Sequence, residues 1–205
     1  MTKARNSYQL HIQLTDTKPA AWRRIVVADS MSLAALHRAI QAVMGWKNQH
    51  LYEFEIAGQR YGTPDADTPD DPTMDARRYT LGQLLQGQAL NMRYTYDFGD
   101  TWVHRIKLEA TTPLNSPAAL HALPACLDGR HACPPENCGG PAGFASFITA
   151  IQDPLHAEHQ AARRLHPGEF HSSQFDLQRA QARLHSLALL QRNPAVIAQS
   201  EPALA

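Results

Sequence analysis

Two short stretches concentrate the side chains that can do chemistry. Tyr94 to Glu109 (YTYDFGDTWVHRIKLE) carries two carboxylates, Asp97 and Asp100, an imidazole, His104, and an indole, Trp102. Carboxylate oxygens and imidazole nitrogens are the donors that hold a divalent ion, and such an ion turns bound water into a nucleophile. Asp97, Asp100, His104 and Glu136 are therefore the candidate catalytic set. His50, Tyr96 and Trp102 are candidate walls of the cleft around it. The competing reading is structural: Asp97 caps a turn and His104 is an ordinary strand residue.

Cys126 to Gly140 (CLDGRHACPPENCGG) contains all three cysteines of the chain. Cys133 and Cys138 are separated by four residues, the upper limit for a close pair at a structural zinc site, and Cys126 supplies a third thiolate. The fourth ligand would come from His104, His131, His50 or Glu136. With His104 chosen, Cys126, Cys133, Cys138 and His104 form a candidate zinc site. Zinc suits a Gly- and Pro-rich segment that cannot build its own core; free cytosolic thiols are the alternative. Pro134-Pro135 stiffens the chain and Gly139-Gly140 releases it, which either presents Glu136 into a cleft or simply makes a turn.

The elements that must position these stretches follow from periodicity. Tyr8, Leu10, Ile12 and Leu14 alternate with polar residues and predict a half-buried strand, with WRRIVV from Trp22 pairing back on it. Asp29, Ser30 and Ser32 offer N-caps for a helix with Leu33, Leu36, Ile40, Val43 and Met44 on one face, ended by Gly45. His37 sits beside that stripe. A strand from Leu51 turns at Ala57-Gly58. The polar run from Thr63 to Asp75 reads as a mobile loop. Thr80 caps a short helix closed by Gly87. In the central hairpin, Gly99-Asp100 predicts a two-residue turn with Asp97 opposite Trp102 and Thr95 opposite His104. That register puts Asp97, Trp102 and His104 on one face, and a slip by one residue would separate them. Thr111 to Pro124 reads as a connection. Helices follow at Phe144 to Ile151, Ala157 to Leu165, and from Phe175-Asp176 through Leu177, Ala180, Leu184 and Leu187. The division is residues 1–6 as a frayed end, 7–192 as one α+β domain, and 193–205 as a tail. Its architecture is an antiparallel sheet with hairpins packed against several helices.

A chain of 205 residues with 43% apolar content buries a sizeable core. Basic and acidic residues balance at 19 each, which argues against a dedicated nucleic-acid binder. The charge is uneven, however. Residues 1–50 hold seven basic against two acidic side chains, so Lys18, Arg23, Arg24, Arg38 and Lys47 are the residues for any nucleic-acid contact. No apolar run reaches membrane-span length and the first residues lack the apolar core of a signal peptide, so a cytoplasmic protein without membrane contact is expected.

The strings PAAWRRIVV, LHRAIQAVMGW, HLYEF, YTYDFGDTWVHRIKLE and CLDGRHACPPENCGG together resemble the plasmid pRiA4b ORF-3-like family, from about Tyr8 to about Leu184. The chain departs from the family pattern at Asn137, often aspartate, and at Cys138, not always cysteine. The resemblance implies an α+β fold of that type, an association with insertion elements, and no characterised activity. A resolvase-like label attached to some members is not supported by the residues, because Ser32 with Arg23 and Arg24 does not make a recombinase site. Three functions stay open: first a binding or accessory module, second a metal-dependent hydrolase or nuclease, third a DNA-binding accessory protein of a mobile element.

Overall fold

The computed structural model describes residues 6–65, 67–68, 71–86 and 91–192. Residues 1–5, the helix-closing role expected of Gly87, and the tail at 193–205 lie outside the described residues.

The alternation read in the sequence becomes one eight-stranded sheet with two unlike faces. Strands β1 (Asn6–Leu14), β2 (Trp22–Ala28), β3 (Tyr52–Ile56), β4 (Gln59–Gly62), β5 (Met74–Asp75), β6 (Asn91–Tyr96), β7 (Trp102–Pro113) and β8 (Ala125–Arg130) lie in the order β5-β4-β3-β6-β7-β1-β2-β8. Every pairing is antiparallel except β4 with β5. Tyr8, Leu10, Ile12, Leu14, Ile25, Phe54, Tyr94, Trp102 and Ile106 fill the inner face, while Gln9, His11, Gln13 and Arg24 alternate onto the other.

Helix α1 (Leu33–Met44) covers the inner face. Ser32 caps it by accepting from the N–H of Ala35, and Gly45 closes it at φ 92°. Helix α2 (Leu81–Leu85) starts with the capping box Thr80/Gln83. Two elements depart from expectation. The Thr111 to Pro124 connection continues β7 to Pro113 and adds helix α3 (Pro117–His121), and Cys126 lies in an edge strand, β8. Asp71 knits the polar run before β5 together by accepting the N–H of Asp65 and of Thr73. Helices α4 (Gly140–Gln152), α5 (His159–Leu165) and α6 (Leu177–Arg192) follow, with α6 lying on α1 and β8.

A closed ring of hydrogen bonds joins α1 to the sheet. His37 Nε2 meets Asn48 Oδ1; the Asn48 N–H donates to Gln41 Oε1; Gln41 Nε2 donates to the Tyr94 hydroxyl; and that hydroxyl lies 2.8 Å from His37 Nδ1. Every donor finds an acceptor only if His37 is neutral with its proton on Nε2. Burial lowers the His37 pKa to about 3, and Tyr52 stacks on the ring at 3.6 Å. His104, fully enclosed, is lowered to about 4 by the same cause.

Both imidazoles stay neutral in the folded chain, whereas the unfolded chain protonates them near pH 6.5. The unfolded state then binds more protons, so stability falls with pH from 6.5 downward until the folded imidazoles titrate at about 4 and about 3. Glu109, held at about 2 by Arg24, adds loss only below its unfolded value of 4.5. Urea unfolding between pH 7 and 5 is expected to show declining stability, with a limiting slope of about 2.7 kcal/mol per pH unit for two such groups. A flat profile over that range would contradict the neutral buried pair.

Candidate functional site

The central hairpin is not joined by the two-residue turn. Tyr96 pairs with Trp102 and Tyr94 with His104, one residue off the predicted register. The cause is a wider loop in which Asp97 and Thr101 both take left-handed conformations, at φ 58° and 57°. The Asp97 carboxylate accepts the N–H groups of Gly99 and Asp100, and its carbonyl accepts from the Thr101 N–H at 2.6 Å. Asp97 therefore does cap the turn. The slip turns Trp102 and His104 inward beside Tyr94 and Tyr96 and takes Asp97 out of the ladder. Phe98, in the loop, is exposed.

The hairpin and the cysteine segment do meet. The Gly139 N–H donates to Asp100 Oδ2 at 3.2 Å, and the Tyr96 hydroxyl donates to Glu136 Oε1 at 2.6 Å. The Lys47 N–H donates to the same Glu136 oxygen, and Trp46 Nε1 donates to the Pro134 carbonyl. Trp46 also stacks on Tyr96 and Trp102 and meets His104 edge-on. His50 lies 3.4 Å from Asp97 Oδ2 at the rim. Trp102 and His104 are sealed from solvent. His104 Nδ1 lies 3.1 Å from the Trp102 carbonyl, while its Nε2 and Trp102 Nε1 have no partner among the described residues.

The candidate metal ligands are spread out. Cys126 sits on β8 beside Leu177, Gln181 and His185 of α6. Cys133 lies against Arg23 and Met44. Cys138 is near Asp100, and burial followed by that carboxylate pushes its thiol up to about 12. Burial raises the other two thiols as well. Among the described residues, no three His, Cys, Asp or Glu side chains converge to hold a metal ion.

The basic residues singled out in the N-terminal region also part company. Arg24 lies on the outer face of the sheet, bound to Glu109 at 2.6 Å, while Lys18 and Arg38 are exposed elsewhere. Arg23 is a buried post. Its Nε donates to the Val43 carbonyl, Nη1 to the Trp22 and Arg130 carbonyls, and Nη2 to Cys133 Sγ at 3.1 Å. The Phe175 ring covers its guanidinium at 4.1 Å.

Over that post opens a cleft of about 500 Å³, between the end of α1, the segment from Ala132 to Asn137, and the chain from Arg164 to Arg183. Its cations are Arg23, Lys47, Arg164, Arg179 and Arg183. Its carboxylates are Glu136, Glu169 and Asp176. Each carboxylate is engaged nearby: Glu136 with Tyr96, Glu169 with His171, and Asp176 with the N–H of Arg179. The side chains of Arg164, Arg179 and Arg183 make no hydrogen bond or ion pair among the described residues. By contrast, Arg24, Arg60, Arg77, Arg78 and Arg93 each lie within 4 Å of a carboxylate. Arg183 rests against Gly45, and its pKa is lowered by burial and then by Arg179. Of the side chains picked from the sequence, Cys133, Glu136, Arg23 and Lys47 line this cleft. Arg164, Arg179 and Arg183 were missed, although the four-residue spacing of Arg179 and Arg183 puts them on one helical face.

An eight-stranded, nearly all-antiparallel sheet with helices on its inner face, and a concave cleft at the end of α1, define an α+β architecture. The chain belongs to the plasmid pRiA4b ORF-3-like protein family, whose model matches residues 6–179. It is 41% identical over 152 residues to the uncharacterized protein y4hQ of Sinorhizobium fredii (strain NBRC 101917 / NGR234), covering 74% of this chain and 76% of that one. The crystal structure of a protein of unknown function, MM3350 from Methanosarcina mazei Go1, superposes with a TM-score of 0.73 at 29% identity. That match covers 86% of this chain and 98% of the other. Among the described residues no helix is long and apolar enough to cross a membrane.

The contact of hairpin and cysteine loop depends on Gly140, at φ 67°, where an added Cβ would stand 2.7 Å from the Asp100 carbonyl oxygen. Gly58 has a similar φ of 80° but open space around it. Gly140→Ala is expected to lose about 1–3 kcal/mol more stability than Gly58→Ala in urea unfolding, since only the former adds a backbone clash to the strain. Equal losses would mean the approach at Gly140 is not tight.

Proposed function

We propose that the protein is a binding module whose cleft takes a small anionic ligand. The observation that carries this reading is the set of three arginines, Arg164, Arg179 and Arg183, gathered around one concavity without carboxylate partners. Guanidinium groups held close together repel, and an anion relieves that cost while matching their paired donors. The volume suits a metabolite-sized molecule. Trp46, Phe170 and Phe175 give the cleft an apolar side, so the ligand combines a phosphate or several carboxylates with a less polar body.

Binding without chemistry is the simpler assignment. The thiols are raised rather than activated, and His104, the one imidazole of the candidate catalytic set, is enclosed. This reading takes the module to act in the cytoplasm in the service of a mobile element, and the plasmid-derived description of the family supports the latter.

Pyrophosphate and citrate serve as probes. Either is expected to raise the unfolding temperature in a concentration-dependent way, at ionic strength matched with chloride. Arg164 and Arg179 are exposed, so Arg164→Gln with Arg179→Gln should leave folding intact and weaken calorimetric binding about tenfold or more, as loss of a charge-assisted contact at each site requires. No heat with either anion, or unchanged affinity in the double variant, would reject the cleft as an anion site.

A further inference from the structure

The outer face of the sheet carries a second arrangement, on the opposite side from the cleft. Following directly opposed residues from strand to strand gives a transverse row: Arg60 on β4, Glu55 on β3, Arg93 on β6, Arg105 on β7, Gln13 on β1, Trp22 on β2 and Arg130 on β8. Four of the seven are arginines and all four are exposed. The row crosses six strand spacings, about 29 Å.

Two features separate this row from an ordinary solvated face. Arg93 and Arg105 stand directly opposite each other, a like-charge placement that costs stability in an antiparallel pair. Their compensation is slight: Arg93 is 3.9 Å from Glu55, and Arg105 donates to the neutral Gln13 at 3.3 Å. Arg60 has Glu53 at 3.5 Å, and the Arg130 guanidinium has no partner among the described residues. The neighbouring row is different. There Arg24 is bound to Glu109 and Asp128, and its charge is spent inside the protein. Within the arginine row stands Trp22, half-buried, with the Arg24 guanidinium over its ring at 5.2 Å and the His11 ring 5.1 Å away at a tilt of 31°.

We propose that this face binds single-stranded nucleic acid laid across the strands, its phosphates on Arg93, Arg105 and Arg130 and a base beside the Trp22 and His11 rings. A linear spread of guanidiniums with an aromatic platform in the same line fits a sequence-tolerant backbone track. A sheet face this broad does not enter a duplex groove. It also lacks the apolar centre of a protein interface, since the charges form the middle of the patch. The proposal is independent of the cleft and uses none of its residues.

The test is fluorescence anisotropy of a labelled oligothymidylate, titrated at several salt concentrations. Wild-type protein is expected to bind at low salt with a linear log–log salt dependence. The triple variant Arg93→Gln, Arg105→Gln, Arg130→Gln, checked for folding by urea unfolding, should lose about two units of that slope, at about 0.7 per phosphate on a single strand. Trp22→Ala should weaken binding about fivefold or more while leaving the slope unchanged. The proposal is overturned by absence of binding at low salt, by tighter binding to duplex of equal phosphate content, or by equal competition from polyglutamate. Loss of binding in the Arg164→Gln, Arg179→Gln variant, with the triple variant unaffected, would place the nucleic acid in the cleft and also overturn it.

Discussion

Arg23 is the constraint on which the site depends. A buried guanidinium requires its donors to be filled, and here they are filled almost entirely by main-chain carbonyls rather than by a carboxylate. Those carbonyls belong to β2 itself, to the last turn of α1 and to the end of β8; Cys133 and Phe175 close the remaining sides. One side chain thus fixes the relative positions of a strand, a helix end, an edge strand, the cysteine loop and the segment before α6. The cleft is the space these five leave above it. Because no carboxylate neutralises Arg23, its charge adds to the field of Arg179 and Arg183 at the floor of the cleft.

Much of this architecture was readable from the chain. β1, β2, α1 and the hairpin at Ala57-Gly58 follow from alternation, a helical stripe, an N-cap serine and glycines at the required positions. The joining of the YDFGD hairpin to the cysteine loop was also legible as a concentration of chemistry. The register was not. Gly99-Asp100 looks like a tight turn, but the Asp97 carboxylate accepts two loop N–H groups and stabilises a longer one, which moves every later side chain of β7 to the other face. β8 was hidden because its sequence, ACLDGR, has glycine and charge where a strand pattern expects alternation. Its stability comes from pairing with β2, a contact distant in the chain.

The gathering of the cleft arginines was hidden for another reason. Arg164 and Arg179 read as solvated charges on helices, and only the folding of α5 and α6 over the end of α1 gathers them. Local pattern reports what an element exposes; it does not report which exposed faces turn toward one another. The same sheet therefore separates two electrostatic situations. On its inner side the buried imidazoles do not charge and the thiols do not ionise, so Arg23 is the buried cation there, while the other cationic groups collect around the cleft and on the outer surface.

An open sheet has two ends, and each is an invitation to another chain's strand. In this protein both invitations are weak. β5 is only two residues long and runs parallel to its neighbour, so it offers too few free backbone groups to template an addition. β8 is interrupted where its register with β2 shifts between Arg24 and Ile25, and it carries Asp128 and Arg130 on its outer face. The bulge twists the edge and the charges would be juxtaposed with their copies in any self-pairing. Neither border of this wide sheet is therefore a ready template for the strand of another chain.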